Sequence, residues 1–361
     1  MTKTTVPAGS QRTITNYAVT NADIWQGRID AEDGEAGMRF HQKVTLIAEN
    51  DQLTNQAGVV LLGFACDEGV KRNKGRVGAV QAPDLIRKAL ANMAWHHDNA
   101  VAIDTGTSTS TLVDAGNIYC SDADLAASQK ELANHVETAL NQQNKVMVLG
   151  GGHEIAWGTF QGLAQHFQSI KIKNPKIGII NFDAHFDLRT YSTDGQAFPT
   201  SSGTPFNQIA KHCQQLGWAF NYACLGVSRA SNTQALFTLA DQLGVHYRED
   251  HQLASYHLAE RIEELIAFID NVDYLYLTID IDVFSASTAP GVSAPAARGI
   301  NYESVEALLQ PIFNARNAAD QAKLRVADLA EYNPVFDIDN QTARLVARLT
   351  WDITRAMFKS K

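Results

Sequence analysis

The sequence predicts an α/β fold in which helices cover both faces of one largely parallel sheet. Short apolar runs alternate with longer amphipathic segments along the 361-residue chain, a pattern typical of βαβ units. The apolar runs are almost uninterrupted in Val, Ile, Leu and Tyr, as expected of strands buried on both faces. No Pro/Gly/Ser-rich linker divides the chain. We therefore expect a single domain over residues 51–361, with residues 1–50 as an amino-terminal arm packed on it.

The order of the predicted elements indicates where a functional site should lie. Eight apolar runs are predicted as strands: 58–65, 110–116, 145–151, 176–184, 222–228, 244–247, 273–281 and 324–331. Six segments repeat apolar residues at three- and four-residue spacing and are predicted as helices: 82–94, 122–143, 155–167, 257–269, 301–313 and 341–358. Ligands of open α/β sheets bind at the carboxyl ends of the strands, so the site is expected there.

Composition and charge exclude several classes of protein. The chain has 30 basic and 39 acidic residues, a net charge of −9, and no basic cluster that would favour nucleic acid or an anionic membrane. No apolar run approaches the roughly 20 residues of a membrane-spanning helix. The amino terminus is polar and lacks the apolar core of a signal peptide. We predict a cytoplasmic protein that acts on a small molecule.

Polar side chains with metal-ligating groups follow four of the predicted strands. They are His153, Asp183, His185, Asp187, Asp280, Asp282 and Glu331. Strand residues two apart share a face, so the segments "DAHFD" and "DID" can each direct several ligands to one point. The glycines of "LGGGHE" allow a tight turn before His153. The pattern predicts a metal site where these strands end.

A charge count indicates how many ions this site holds. Four aspartates would place a charge of −4 in a small volume, which is unfavourable unless cations or protons compensate it. Two divalent cations balance that charge, and a bridging hydroxide would add −1, which favours a substrate with one positive group. Imidazole and carboxylate ligands without thiolate favour manganese over zinc or iron. Two such ions generate hydroxide at neutral pH and polarise the group that it attacks.

The same segments resemble the motifs of the arginase–agmatinase, or ureohydrolase, family. "GGGHE", "DAHFD", "DID…PG" and "AEYNP" occur in the family's order between about residue 58 and the end of the chain. The resemblance implies a three-layer α/β/α sandwich on an eight-stranded, mainly parallel sheet, two Mn²⁺ ions, and a homo-oligomer.

The resemblance also implies roles for individual residues. His153, Asp183, Asp187 and Asp280 would hold one ion, and Asp183, His185, Asp280 and Asp282 the other, with Asp183 and Asp280 bridging. Glu331 would bind the cationic amidine or guanidine. Asp187 would pass the proton of the bridging hydroxide to the leaving amine, so that Asp187 and Glu331 are the predicted catalytic residues.

Departures from the family pattern predict the type of substrate. Arginases carry a histidine proton shuttle in the loop after "DAHFD", and this chain has none there. Ser285 stands where the family continues "DID" with a third aspartate. Arg189 replaces the asparagine that arginases use, and an arginine makes a bidentate pair with a carboxylate.

Arg72, Arg76 and Arg229 follow other strands and are predicted to bind substrate together with Arg189. We therefore predict hydrolysis of an amidine that carries carboxylates. Two alternatives remain open. One is an agmatinase or guanidinobutyrase type of guanidine hydrolase, and the other is a metal-free binding protein on the same fold.

Overall fold

A computed structural model describes residues 16–48, 53, 58–96, 112–192 and 197–359. Within these ranges one sheet contains ten strands: β1 Tyr17–Ala18, β2 Val44–Leu46, β3 Val59–Ala65, β4 Leu112–Tyr119, β5 Lys145–Leu149, β6 Ile177–Phe182, β7 Asn221–Val227, β8 His246–Glu249, β9 Tyr274–Asp280 and β10 Leu324–Ala330. The strand order is β1-β4-β3-β5-β10-β9-β6-β7-β8, and β2 also pairs with β4. Strands β3 to β10 are the eight predicted ones, and every pair among them is parallel.

The six predicted helices are confirmed, with shifted ends, and three further ones are present. The helices are α1 Glu68–Arg72, α2 Ala82–Ala91, α3 Leu125–Asn141, α4 Ile155–Ser169, α5 Pro205–Leu216, α6 Gln234–Gln242, α7 Leu258–Asp270, α8 Tyr302–Asn314 and α9 Gln341–Lys359. Helices α1, α5 and α6 were not predicted. None of the described helices is long and apolar enough to span a lipid bilayer.

The buried side chains form two apolar cores, one on each face of the sheet. Alternate residues of each strand point to opposite faces. Leu61 and Met147 therefore lie in a core with α2, α7, α8 and α9, whereas Leu62 and Val148 lie in a core with α3, α4, α5 and α6. Full burial of one such side chain stabilises the fold by roughly 1.5–3 kcal/mol. Helix, sheet and helix form the three layers that were predicted.

The described part of the amino-terminal arm is attached to the sheet through a hydrogen bond from Trp25 to a buried ion pair. Trp25 donates through Nε1 to Asp114 Oδ2 on β4 at 2.7 Å. Arg87 of α2 donates to both oxygens of the same carboxylate at 2.8 Å. The side chains of Arg87 and Asp114 are fully buried. Residues 1–15 of the predicted arm lie outside the described residues, and the division into arm and domain stays a prediction.

The strand order brings the predicted ligands together. Strands β5, β10, β9 and β6 are neighbours in the sheet, and the predicted ligand segments follow these four strands. The chain passes from β5 to β6 across the space that β9 and β10 later fill. Ligands bind in crevices where the strand order changes in this way. The topology therefore places all seven side chains together at the carboxyl ends of these four strands.

Candidate metal centre

The glycine turn after β5 positions His153. The backbone N–H of Gly152 donates to the carbonyl of Cys66 at 2.9 Å. A Cβ atom on Gly151 would lie 1.8 Å from the same carbonyl oxygen, so this close approach requires glycine. The backbone N–H of His153 donates to Glu331 Oε1 at 2.9 Å. The turn therefore joins the ends of β3, β5 and β10.

His153 forms the centre of a first group of candidate ligands. Its Nδ1 lies 3.1 Å from Asp183 Oδ2, 3.0 Å from Asp187 Oδ2 and 3.2 Å from Asp280 Oδ2. The Nδ1 atom is buried and makes no hydrogen bond of ordinary geometry. Its Nε2 atom is 3.0 Å from Thr278 Oγ1, which fixes the ring. These four residues can together hold a metal ion.

A second group consists of Asp183, His185 and Asp282. His185 Nδ1 lies 3.0 Å from Asp282 Oδ2 and 3.6 Å from Asp183 Oδ1. The second oxygen of Asp282, Oδ1, is buried without a partner. Asp183 belongs to both groups, as expected of a bridging ligand. Asp280 belongs to the first group, and its Oδ1 accepts the backbone N–H of Asp282 at 2.8 Å. Its bridging role stays a prediction.

The electrostatics of the cluster show that it requires cations or protons. Burial, followed by the charges of Asp282 and Asp183, raises the pKa of Asp280 well above its ordinary value. Burial raises the pKa of Asp187 to about 6. Burial alone would lower the pKa of His153, but the neighbouring carboxylates raise it well above its ordinary value. Two divalent cations would replace these protons, and the nitrogen and oxygen donors fit manganese.

A shell of buried side chains that sequence reasoning missed supports the ligands. Asn181 donates to Asp183 Oδ2 at 2.9 Å. Phe206 of α5 lies edge-on to His153, with ring centroids 5.4 Å apart, and stacks on Tyr222 at 4.4 Å. Asn181, like Thr278, is a polar residue inside a buried strand, two positions before a ligand and so on the same face. That position was the signal that could have identified both.

Glu331 lies beside the two groups. Its backbone has a φ of 67°, and its side chain is buried. Burial, and then the charge of Glu154, raises the pKa of Glu331 well above its ordinary value.

Glu154 is a buried carboxylate near the site that was not among the predicted site residues. Its Oε1 accepts the backbone N–H of Gly69 at 2.8 Å, and burial raises its pKa to about 8.

The ligand groups open into a cavity of about 320 Å³. Its lining includes His185, Asp187, Arg189, Asp280, Asp282 and Glu331, and also Lys74, Arg76 and Ser293. Arg189 makes no side-chain hydrogen bond or ion pair with the described residues. Its stem packs on Gly203, where a Cβ atom would lie 2.7 Å from Arg189 Cδ.

The other predicted arginines contact protein acceptors. Arg72 binds Glu68 Oε1 at 3.0 Å and the carbonyl of Ala123 at 2.8 Å. Arg76 lines the cavity, but its guanidinium donates to the carbonyls of Ser293 and Val292. Arg229 pairs with Glu249 of β8 and lies outside this lining.

The side-chain oxygen of Ser285 lies 2.8 Å from Ser287 Oγ and 3.1 Å from Thr288 Oγ1.

Comparison with known proteins agrees with this architecture. The sequence profile of the arginase family matches residues 57–355. The chain belongs to the arginase family. It is 52% identical to the formimidoylglutamase of Photobacterium profundum, over 96% of this chain and 98% of that protein.

Solved structures of arginase-family proteins share the fold. The formimidoylglutamase from Bacillus subtilis aligns with a TM-score of 0.71 and 22% identity, over 90% of this chain and 92% of that one. The formiminoglutamase from Trypanosoma cruzi, solved with Mn²⁺, aligns with a TM-score of 0.70 and 21% identity, over 86% and 97%.

Proposed function

We propose that this protein hydrolyses N-formimidoyl-L-glutamate to L-glutamate and formamide, a reaction of histidine degradation. Full-length similarity to a formimidoylglutamase supports the reaction. The structural observation that carries it is Arg189, which lines the cavity beside the metal-ligand groups and has no side-chain acceptor among the described residues. An unpaired cation there favours a substrate with a carboxylate. The homo-oligomer and the cytoplasmic location stay predictions.

We propose that the two groups of ligands hold two Mn²⁺ ions. His153, Asp183, Asp187 and Asp280 would hold the first, and Asp183, His185 and Asp282 the second. Asp280 would be the second bridging ligand, as the sequence predicts. When bound, the two ions supply an activated water molecule and positive charge beside the amidine carbon.

Two carboxylates of the protein have further roles in the proposed reaction. Glu331 lines the cavity next to the ligands and binds the amidinium group of the substrate. Asp187 accepts a proton and passes it toward the leaving amine. Asp187 suits this role because one of its oxygens lies beside His153 while its side chain still lines the cavity.

The predicted arginines then differ in role. Arg189 binds a substrate carboxylate directly. Arg76 lines the cavity and holds the segment around Ser293 in place. The contacts of Arg72 and Arg229 with the protein support a structural role, and substrate binding by these two stays a prediction from the sequence.

A substrate panel tests the proposal. With Mn²⁺ added, formimidoylglutamate should be hydrolysed with a higher kcat/KM than arginine, agmatine or guanidinobutyrate. Arg189→Ala should lower kcat/KM for formimidoylglutamate about tenfold to hundredfold, the value of a hydrogen bond to a charged group. Because agmatine has no carboxylate, its kcat/KM should not fall.

Arg248→Ala is the matched control, since Arg248 pairs with Glu264 and does not line the cavity. Faster hydrolysis of agmatine or arginine by the unmodified protein would refute the proposed substrate.

Glu331→Gln tests the role of the second carboxylate. The amide oxygen can still accept the backbone N–H of His153, so we expect the Mn²⁺ content to be unchanged. Turnover should fall, because the amidinium loses a charged partner. Elemental analysis and steady-state kinetics measure the two effects separately. Loss of manganese from this variant would show that Glu331 supports the metals instead.

A further inference from the structure

We infer that Lys74 is a second substrate-binding cation, and that Lys74 and Arg189 each bind one of the two carboxylates of the substrate. The inference rests on the proposed function, because a substrate with two carboxylates requires two cationic partners. Sequence reasoning did not single out Lys74, which lies in the loop after α1.

Lys74 and Arg189 differ from the other cationic residue of the cavity in their hydrogen-bond partners. Lys74, Arg76 and Arg189 are the lysine and arginine residues that line it. The guanidinium of Arg76 donates to two backbone carbonyls and lies over the Phe336 ring, 3.8 Å from its centroid. Among the described residues, neither the ammonium group of Lys74 nor the guanidinium of Arg189 has an acceptor. These two charges are available to a ligand.

Lys74 is held on the cavity wall by its backbone. Its φ of 63° is uncommon for a residue with a side chain. The backbone N–H of Lys74 donates to the carbonyl of Lys71 at 3.0 Å, and that of Gly75 donates to the carbonyl of Val70 at 2.8 Å. The next residue, Arg76, is fixed by the Ser293 hydroxyl, which accepts its backbone N–H at 2.9 Å. The loop therefore keeps Lys74 in this conformation.

Left-handed backbone also occurs at two other residues of the same cavity. Asp187 has a φ of 48° and Glu331 a φ of 67°. Residues in such conformations concentrate at functional sites, where the surrounding structure maintains them. Lys74 shares both the conformation and the cavity with these two.

Gly203 lies between the side chain of Arg189 and the loop that carries Lys74. A Cβ atom built on Gly203 would lie 2.7 Å from Arg189 Cδ and 3.2 Å from Nδ2 of Asn73, the residue before Lys74. The stem of Arg189 and the loop of Lys74 therefore meet at one point. Lys74 and Arg189 therefore line the same part of the cavity.

The charges of the cavity explain why a second cation is needed. Two Mn²⁺ ions would balance the charge of the four aspartates, and Glu331 would pair with the amidinium group. The two carboxylates of the substrate therefore need other cationic partners. Arg189 can pair with one of them, and Lys74 supplies a positive charge for the other.

Lys74→Met tests the inference, since it removes the charge and keeps most of the side-chain volume. We expect KM for formimidoylglutamate to rise about tenfold to hundredfold with little change in kcat. Two analogues, N-formimidoyl-4-aminobutyrate and N-formimidoyl-2-aminobutyrate, each lack one carboxylate. Lys74→Met should affect one analogue and Arg189→Met the other. Lys71→Met is the matched control, because Lys71 lies in the same segment, pairs with Glu68 and does not line the cavity.

Calorimetric titration of the Mn²⁺-loaded protein with L-glutamate separates this inference from the proposed reaction. Weaker glutamate binding by Lys74→Met, with normal binding by Lys71→Met, supports the role of Lys74 even if formimidoylglutamate is not a substrate. An unchanged KM and unchanged glutamate affinity in Lys74→Met would overturn it, as would equal effects of this variant on both analogues.

Discussion

Asp183→Ala should lose nearly all activity and bind neither Mn²⁺ ion with normal affinity. Asp183 is fully buried and belongs to both ligand groups. Removing a residue that merely supports a metal ligand costs about 10- to 100-fold in metal affinity or activity, and loss of a shared ligand should exceed this. Elemental analysis and kinetics across a range of Mn²⁺ concentrations would measure the effect.

Two further variants make the result specific. Glu249→Ala removes a carboxylate from the end of β8, outside the cluster, and should keep both ions. Asp280→Ala distinguishes one bridge from two. If Asp280 binds only the first ion, the Asp280→Ala variant should keep the second ion. If Asp280 bridges the two ions, the variant should lose both. Near-normal turnover of Asp183→Ala at low Mn²⁺ would contradict the assignment of Asp183.

Arg87→Met should lower the free energy of unfolding by about 3–5 kcal/mol, the cost of removing one partner of a buried ion pair. Arg87 is fully buried and donates to Asp114, to Asn117 Oδ1 at 2.6 Å and to the carbonyl of Gly116 at 3.0 Å. Among the described residues, Trp25 and the backbone N–H of Gly116 would then be the remaining donors to the buried Asp114 carboxylate. Unfolding in urea would measure the change.

Arg348→Met is the control for this prediction. Arg348 pairs with Asp352 at 2.9 Å, but its side chain is 49% exposed. Exposed ion pairs stabilise proteins by about 0–1 kcal/mol. If the two substitutions lowered the free energy of unfolding equally, the buried ion pair of Arg87 would contribute no more to stability than an exposed one.

The fold was predictable where burial on both faces leaves a strong pattern. The eight parallel strands appear in the sequence as continuous apolar runs, and six helices as periodic ones. Strands β1 and β2 have two and three residues, whose side chains are partly buried or exposed, so they carry no such pattern. Helix α5 does have start and stop signals, Pro205 in its first turn and Gly217 with a φ of 70° after its end. Its narrow apolar stripe was overlooked.

The candidate metal ligands were predictable because they directly follow continuous apolar runs, which is a local property of the sequence. The predicted strand geometry did not extend to all of them: β6 ends at Phe182 and β9 at Asp280, so Asp183, His185, Asp187 and Asp282 lie in the turns that follow these strands.

The hydrogen-bond partners of Arg76 and Arg229, in contrast, lie far away in the sequence. Arg229 follows β7 and pairs with Glu249 on β8, and Arg76 contacts Ser293 more than 200 positions away. Which cations remain free for a substrate therefore depends on the tertiary structure. The same reason explains why Lys74 could not be identified from the sequence.

The segment between Arg189 and Gly203 is held at its base, independently of its interior. The backbone N–H of Arg189 donates to the carbonyl of Gly203 at 2.8 Å, and the side chain of Asn207 donates to the carbonyl of Leu188 at 3.2 Å. Phe206 donates its backbone N–H to the carbonyl of the ligand Asp187 at 3.2 Å. These bonds connect both ends of the segment to Asp187 and α5. Sequence changes within the segment should therefore leave the position of Asp187 unaltered, so that the length of this loop can vary without loss of the candidate metal centre.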